Sequence, residues 1–207
     1  MDKDTIKKII YLNLGYILEA PAIVLMVNSN MGLSPWDVLN QGLSQTTGMT
    51  LGQATMIIGI LVIIASVALG ENLGWGTIGN IFIPSILIDV VNYMEIIPVV
   101  HDLFWGSIML IAGLVIMAIS TVLYLMPALG CGPRDGLMIA IHKKTGKSIG
   151  FLRAIIEVGA VVAGYLLGGT VGIGTIISAF GLGYMLEVAF KIFGYDPKTE
   201  HKMIFAH

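Results

Sequence analysis

Six stretches of this chain are each long and apolar enough to cross a lipid bilayer, and nothing else in the sequence constrains the fold as strongly. A hydrocarbon core of about 30 Å needs about 20 mostly apolar residues in helical form. Residues 9–31, 50–69, 74–93, 104–127, 149–168 and 171–193 meet that requirement, with short polar or Gly-rich breaks between them. The runs are continuous, whereas barrel strands would alternate over about ten residues, so the spans read as helices. Composition agrees: 56% of residues are hydrophobic and 12% charged, where an average soluble domain is about a quarter charged. The first run could pass for a signal peptide. It is long, however, it carries Glu19 and Pro21, and no small-x-small site ends a short apolar core, so it reads as an uncleaved span.

The basic residues orient the spans. Of eleven Lys and Arg, Lys3, Lys7 and Lys8 precede the first span, and Arg134, Lys143, Lys144 and Lys147 lie between the fourth and fifth. Lys191, Lys198 and Lys202 lie at or after the end of the sixth, and only Arg153 is set inside a span. The loops at 32–48, 94–103 and 169–171 have none. Cytoplasmic N- and C-termini therefore satisfy the positive-inside rule, and five or seven spans would break it.

Shifted by 98 residues, the chain matches itself without a gap. "GLSPWDVL" falls on "GCGPRDGL", Thr47-Gly48 on Thr145-Gly146, Gly52 on Gly150, "GENLGWGTI" on "GGTVGIGTI", and Asp89 on Glu187. There are 18 identities over the 60 positions that start at Gly32 and Gly130. Each copy holds three spans, an odd number, so the second must enter the membrane from the opposite side. The expectation is an all-α integral membrane protein, one membrane domain made of two inverted-topology three-helix repeats, 9–98 and 104–193, followed by a cytoplasmic tail at 194–207. Such repeats are typical of secondary transporters and of some channels.

The duplicated Gly-x-x-Pro-x-Asp motif ends one span and starts a short helix. Gly32 and Gly130 permit a sharp turn. Pro35 and Pro133 suit a first helical position, Ser34 can cap the first copy where Gly132 stands in the second, and Asp37 and Asp135 meet the helix dipole. Arg134 takes the place of Trp36 in the second copy. Thr-Gly pairs at 47–48 and 145–146 close helices expected over 35–46 and 133–144. About twelve residues give about 18 Å, too short to cross. These helices either lie along the interface or dip inward as re-entrant half-helices, whose N-terminal N–H groups would attract anionic groups.

A charge inside a span is costly and marks a functional candidate. Glu19 stands two residues before Pro21, which frees a carbonyl; the second copy has Met117 there. Arg153 and Glu157 share one face of the fifth span, where the first copy has Thr55 and Gly59. A structural ion pair explains them as well as a substrate role does. Glu187 and Lys191 repeat that spacing and read as an anchor, and Asp89 has no partner in sequence. Thr77 and Thr175, in "GWGTI" and "GIGTI", can bond backbone or ligand, though small residues there more often serve packing. Gly164-x-x-x-Gly168 and its mate Ser66-x-x-x-Gly70 are assigned to packing.

Several classes of activity find no support. There is no His-Glu-x-x-His and no Gly-x-Ser-x-Gly, and no phosphate-binding Gly-x-x-x-x-Gly-Lys-Ser/Thr. No enzyme, cofactor or metal site is expected. The single Cys131 excludes an intrachain disulfide, and a net charge of −2 gives no reason to expect nucleic acid.

The paired Gly-x-x-Pro-x-Asp segments, each followed by Thr-Gly and then Gly-x-Gly-Thr, resemble the YczE/YyaS/YitT group of bacterial membrane proteins. "LSPWDVLNQGLSQTTGMTLGQ" at 33–53 is the most specific piece, and the likeness covers nearly the whole chain. The resemblance implies a multi-span protein of the bacterial cytoplasmic membrane and supplies neither substrate nor site residues.

The function expected is a small secondary transporter or permease, proton-coupled if Glu19 or Glu157 carries a proton. A small-solute channel and a non-transporting scaffold or accessory subunit are the alternatives. The polar contributors to a site where the repeats meet would be Glu19, Asp37, Asp135, Arg153 and Glu157. The partners are the lipid bilayer and an unidentified small molecule or ion, and the Gly-rich faces suit a homodimer as well as a monomer.

Overall fold

The computed structural model describes residues 3–71, 74–130 and 132–195, and it places them in helices and connecting turns. The helices are α1 (Lys3–Asn28), α2 (Pro35–Thr47), α3 (Leu51–Ala68), α4 (Trp75–Tyr93), α5 (Leu103–Leu125), α6 (Pro133–Thr145), α7 (Ile149–Leu166) and α8 (Ile173–Phe193). All but α2 and α6 are long and apolar enough to cross a membrane. Helix ends lie within three residues of the expected spans, save that α1 starts six residues early and takes in Lys7 and Lys8. Most of the tail expected at 194–207, with Lys198 and Lys202, lies outside the described residues, as does Cys131.

The two short helices form where local chemistry places them. In α2 the Ser34 hydroxyl accepts from the Asp37 backbone N–H at 3.4 Å, Pro35 opens the first turn, and Gly48 closes the last at φ 74°. In α6 Gly132 stands at the cap without a side chain, Pro133 opens, and Gly146 closes at φ 67°. Both helices are buried at their N-terminal ends and exposed at their C-terminal ends.

Helices α1 and α5 cross at the centre through glycines that match one another across the 98-residue shift. Gly15 lies against the backbone of Ser120 and Tyr124, and Gly113 against Ala22 and Met26. The Ser120 hydroxyl donates to the Gly15 carbonyl at 2.9 Å. Ile23, Val24, Met26, Leu110 and Leu114 fill the core around this crossing. Outside it, α4 packs on α1, α8 on α5, α2 on α7 and α6 on α3. The contacts come in two pairs related by the 98-residue shift, α1–α4 with α5–α8 and α2–α7 with α6–α3.

The turns before α2 and α6 are bonded to the opposite half in the same way. Gly174 N–H donates to the Met31 carbonyl at 2.7 Å, and Gly76 N–H donates to the Leu129 carbonyl at 3.0 Å. Gly32 (φ 107°) and Gly130 (φ 141°) each occupy a conformation that L side chains rarely adopt. A Cβ on Gly32 would meet Gly172 and Thr175, and one on Gly130 would meet Gly74 and Thr77. Thr77 and Thr175 therefore sit in the joint between halves.

One pair breaks the correspondence. Helix α3 packs closely on α4, whereas α7 stands off α8. Gly52 in α3 touches the Ser85 carbonyl and the Asp89 carboxylate of α4, while nothing within 4 Å would meet a Cβ on its counterpart Gly150.

Two sequence expectations are corrected. Among the described residues no ion pair joins Glu187 to Lys191, whereas Arg134 pairs with Asp37, Lys143 with Glu71 and Arg153 with Glu157. Gly70 (φ 93°) and Gly168 (φ 95°) close turns after α3 and α7. Neither packs helix on helix as assigned; Gly164 does, against the backbone of Val38 and Leu39.

Candidate functional site

A cavity of about 160 Å³ lies inside the bundle, and all eight helices or their caps contribute to its wall. Its polar lining comes from both halves. The first half supplies Glu19, Ser34, Asn40 and Asn80; the second supplies Arg134, Asp135, Arg153, Glu157, Tyr124 and Ser178. Trp36, Ile58, Ile81, Met138 and Leu182 give it apolar walls.

The first turns of α2 and α6 meet at its edge. Asp37 is almost wholly buried at 1% exposure. Its carboxylate takes a hydrogen bond from the Ser34 hydroxyl at 2.5 Å and one from the Asn40 amide at 3.5 Å. The guanidinium of Arg134 approaches it to 3.8 Å from the other half and lies 5.2 Å from the centre of the Trp36 ring. The N-terminus of each helix carries about half a positive charge, and in each the first turn holds a carboxylate, Asp37 or Asp135. The helix ends are thus already matched within the protein, and the expectation that they draw an anionic group loses its force.

Glu19 projects from the middle of α1, where Pro21 interrupts the backbone hydrogen bonding. Its carboxylate accepts from the Asn80 amide of α4 at 2.9 Å. Tyr124 of α5 stacks obliquely on Tyr16 of α1 with ring centres 6.3 Å apart, and the Tyr16 hydroxyl donates to the Gly76 carbonyl. On α7, Arg153 Nε donates to Glu157 Oε1 at 2.8 Å. That pair lines the cavity, and its side chains are 43% and 20% exposed.

Of the residues singled out from sequence, Glu19, Arg134, Asp135, Arg153 and Glu157 line the cavity together with Pro35 and Pro133. Asp37 stands directly behind the wall, held by Ser34, Asn40 and Arg134. Thr77 and Thr175 are absent from the lining; they join Gly32 and Gly130 in the joint between halves. Asp89 finds two partners that the sequence did not suggest, the Thr50 hydroxyl at 2.6 Å and the Gly52 N–H at 2.8 Å.

Asn40, Asn80, Tyr124 and Ser178 were missed, as was Glu71, which is buried and takes a 2.8 Å bond from Lys143 of α6. One signal was available. Asn80 and Ser178 occupy matching positions three residues, nearly one turn, after Thr77 and Thr175.

Comparison with known proteins gives the family and no activity. The family described as a family of unknown function (DUF6198) matches residues 6–191. An "Uncharacterized protein" of Haemophilus influenzae is 33% identical over 178 residues, covering 86% of this chain and 81% of that protein. The "Uncharacterized membrane protein YczE" of Bacillus subtilis is 33% identical over 178 residues, covering 84% and 80%. The "Uncharacterized protein YyaS" of the same organism is 28% identical over 191 residues, covering 89% and 93%. No solved structure matches. The chain belongs to this family, and with six helices apolar enough to span a bilayer it is a membrane protein.

Proposed function

We propose that this family member is a small secondary transporter of the bacterial cytoplasmic membrane that works by alternating access, with its two halves as inverted repeats. The observation that carries the reading is the unequal closure of two equivalent helix seams beside one polar cavity. At the α3–α4 seam, Thr50 and Gly52 bond Asp89. At the α7–α8 seam the matching Ser148, Gly150 and Glu187 make no such contact, and the helices stand apart.

With both termini cytoplasmic, the 50–89 seam lies on the outer side and the 148–187 seam on the inner side. The structure then corresponds to an inward-facing state. In the opposite state the first half adopts the open form and the second the closed form. Carriers built from inverted repeats exchange states by moving one part against the other around a fixed central site. Helices α2 and α6 are re-entrant in this reading: their buried N-terminal ends meet beside the cavity, and their exposed C-terminal ends reach opposite surfaces. Glu19 carries a coupling proton: it lines the cavity from mid-span, with the Asn80 amide as its hydrogen-bond donor.

The test is accessibility. Ala179 of α8 lines the cavity. A membrane-impermeant thiol reagent should label Ala179→Cys, in a chain with Cys131 replaced by Ser, from either face of vesicles, one state at a time. A disulfide or short crosslink between Thr50→Cys and Asp89→Cys should abolish outside labelling and leave inside labelling intact. Outside labelling that survives the crosslink would indicate a continuous channel, and labelling from neither face would indicate a scaffold. Glu19→Gln should leave folding intact and abolish coupled transport.

A further inference from the structure

We infer that the cavity takes a small organic cation with N–H donors, an ammonium or guanidinium group on a compact body; the inference rests on the transporter reading above and names its substrate class. Four carboxylates stand in or against the wall, Glu19, Asp37, Asp135 and Glu157, against two guanidiniums, Arg134 and Arg153. The two helix N-termini add about half a positive charge each. With Glu19 in its ionised, proton-released form, the balance is about one negative charge.

The basic groups are already engaged. Arg134 faces Asp37 and lies over the Trp36 ring, and Arg153 bonds Glu157. An anionic ligand drawn to either guanidinium would meet the carboxylate beside it. The acceptors are in surplus. Glu19 has a single donor, Asn80.

A second observation points the same way. Asn40 lines the cavity at 1% exposure, and its side-chain oxygen has no hydrogen-bond partner, while its amide nitrogen faces Asp37. Turning the amide over would set its oxygen against the Asp37 carboxylate, so the orientation is fixed by chemistry. The Ser178 hydroxyl, also 1% exposed and on the wall, is likewise unpartnered. Its counterpart Asn80 bonds Glu19, whereas the residue that matches Glu19 in the second half is Met117, which accepts nothing. A buried acceptor left without a donor costs stability. A ligand that donates to Asn40 recovers that loss and one that only accepts does not, while the Ser178 hydroxyl, donor and acceptor alike, can bond either.

The volume limits size: a cavity of roughly 150 Å³ holds a benzene-sized guest.

The probes are methylammonium, guanidinium and propylammonium, set against acetate, propionate and the neutral propionamide, in thermal melts of the purified full chain. The expected result is a rise in melting temperature with the cations alone, lost in Glu19→Gln. Asn40→Ala is the second variant. It removes an unpaired acceptor along with the long 3.5 Å bond to Asp37, so the ligand-free protein should melt close to the parent, yet respond to the cations several-fold more weakly. A rise with carboxylates instead overturns the cation class and leaves the transporter reading standing. No rise with any probe, while Ala179→Cys is still labelled from both faces in turn, does the same. If the labelling also fails, the transporter reading falls with it. A cation response unchanged in both variants places binding elsewhere and overturns the proposal.

Discussion

The α3–α4 and α7–α8 seams carry matching residues where Asp89 is bonded, Ser148 for Thr50, Gly150 for Gly52 and Glu187 for Asp89, and end in different conformations. At the first, Asp89 receives the Thr50 hydroxyl and the Gly52 N–H, and Gly52 lets the helices touch. At the second, Ser148, Gly150 and Glu187 stand in register with no contact between them. What differs lies a turn or two deeper. Thr55 and Gly59 of α3 become Arg153 and Glu157 of α7. Gly59 lies against Ile81 of α4, whereas Arg153 and Glu157 spend their reach on each other and on the cavity. In the proposed cycle the same joint forms at both ends in turn, and a charged pair stands in the second half where the first has Thr55 and Gly59.

The largest expected difference is between two alanine substitutions. Gly52→Ala would drive a Cβ into the Ser85 carbonyl and should cost about 3 kcal/mol by overpacking. Gly150→Ala meets nothing and should gain about 0.5–1 kcal/mol from helix propensity. Melts in detergent check both, and equal costs would mean that the inner seam is closed as well.

Next in size is the acid that ties the outer seam. Asp89→Ala should cost about 2 kcal/mol, because it leaves the Gly52 N–H without its partner, and it should raise outside labelling of Ala179→Cys. Glu187→Ala should change stability by less than about 0.5 kcal/mol but slow the return to the outward-facing state. A Glu187→Ala chain as destabilised as Asp89→Ala would remove the contrast.

A smaller asymmetry joins the halves. The buried Glu71 carboxylate receives Lys143, and the matching positions in the other half are Gly169 and Gln45. Glu71→Gln should cost about 1–2 kcal/mol, read as a lowered melting temperature, while Gly169 has no counterpart bond to lose. The smallest effect on folding belongs to Arg153 and Glu157, a partly exposed pair four residues apart. Replacing Arg153 by Met should cost no more than about 0.5 kcal/mol. A loss of several kcal/mol would make that pair a pillar of the fold rather than part of a site.

Much of this was legible in the sequence because it is local. Six spans follow from hydropathy, and both short helices follow from Pro at the start, Asp in the first turn and Gly at the end. Glu19, Arg153 and Glu157 stood out because each is a charge in an apolar run. The roles of Thr77 and Thr175 were not legible, since the groups they meet, Gly130 and Gly32, lie 53 and 143 positions away by number. Asn40 and Ser178 were missed because an amide and a hydroxyl in a helix carry no signal until their missing partners are seen. The unequal seams were hidden for a further reason. Aligned residues of the same type say that two joints can form, and only packing says which one has.

The most direct test of the account is a crosslink in one molecule against another in the same molecule. In a chain lacking Cys131, cysteines at 50 and 89 and cysteines at 148 and 187 would be joined in lipid vesicles by a short thiol crosslinker. The account predicts that each pair crosslinks when present alone, the second only in the state not captured here. In a chain carrying all four cysteines, closure of one pair should exclude closure of the other. An inner pair that never closes, or both pairs closed in one molecule, would contradict it.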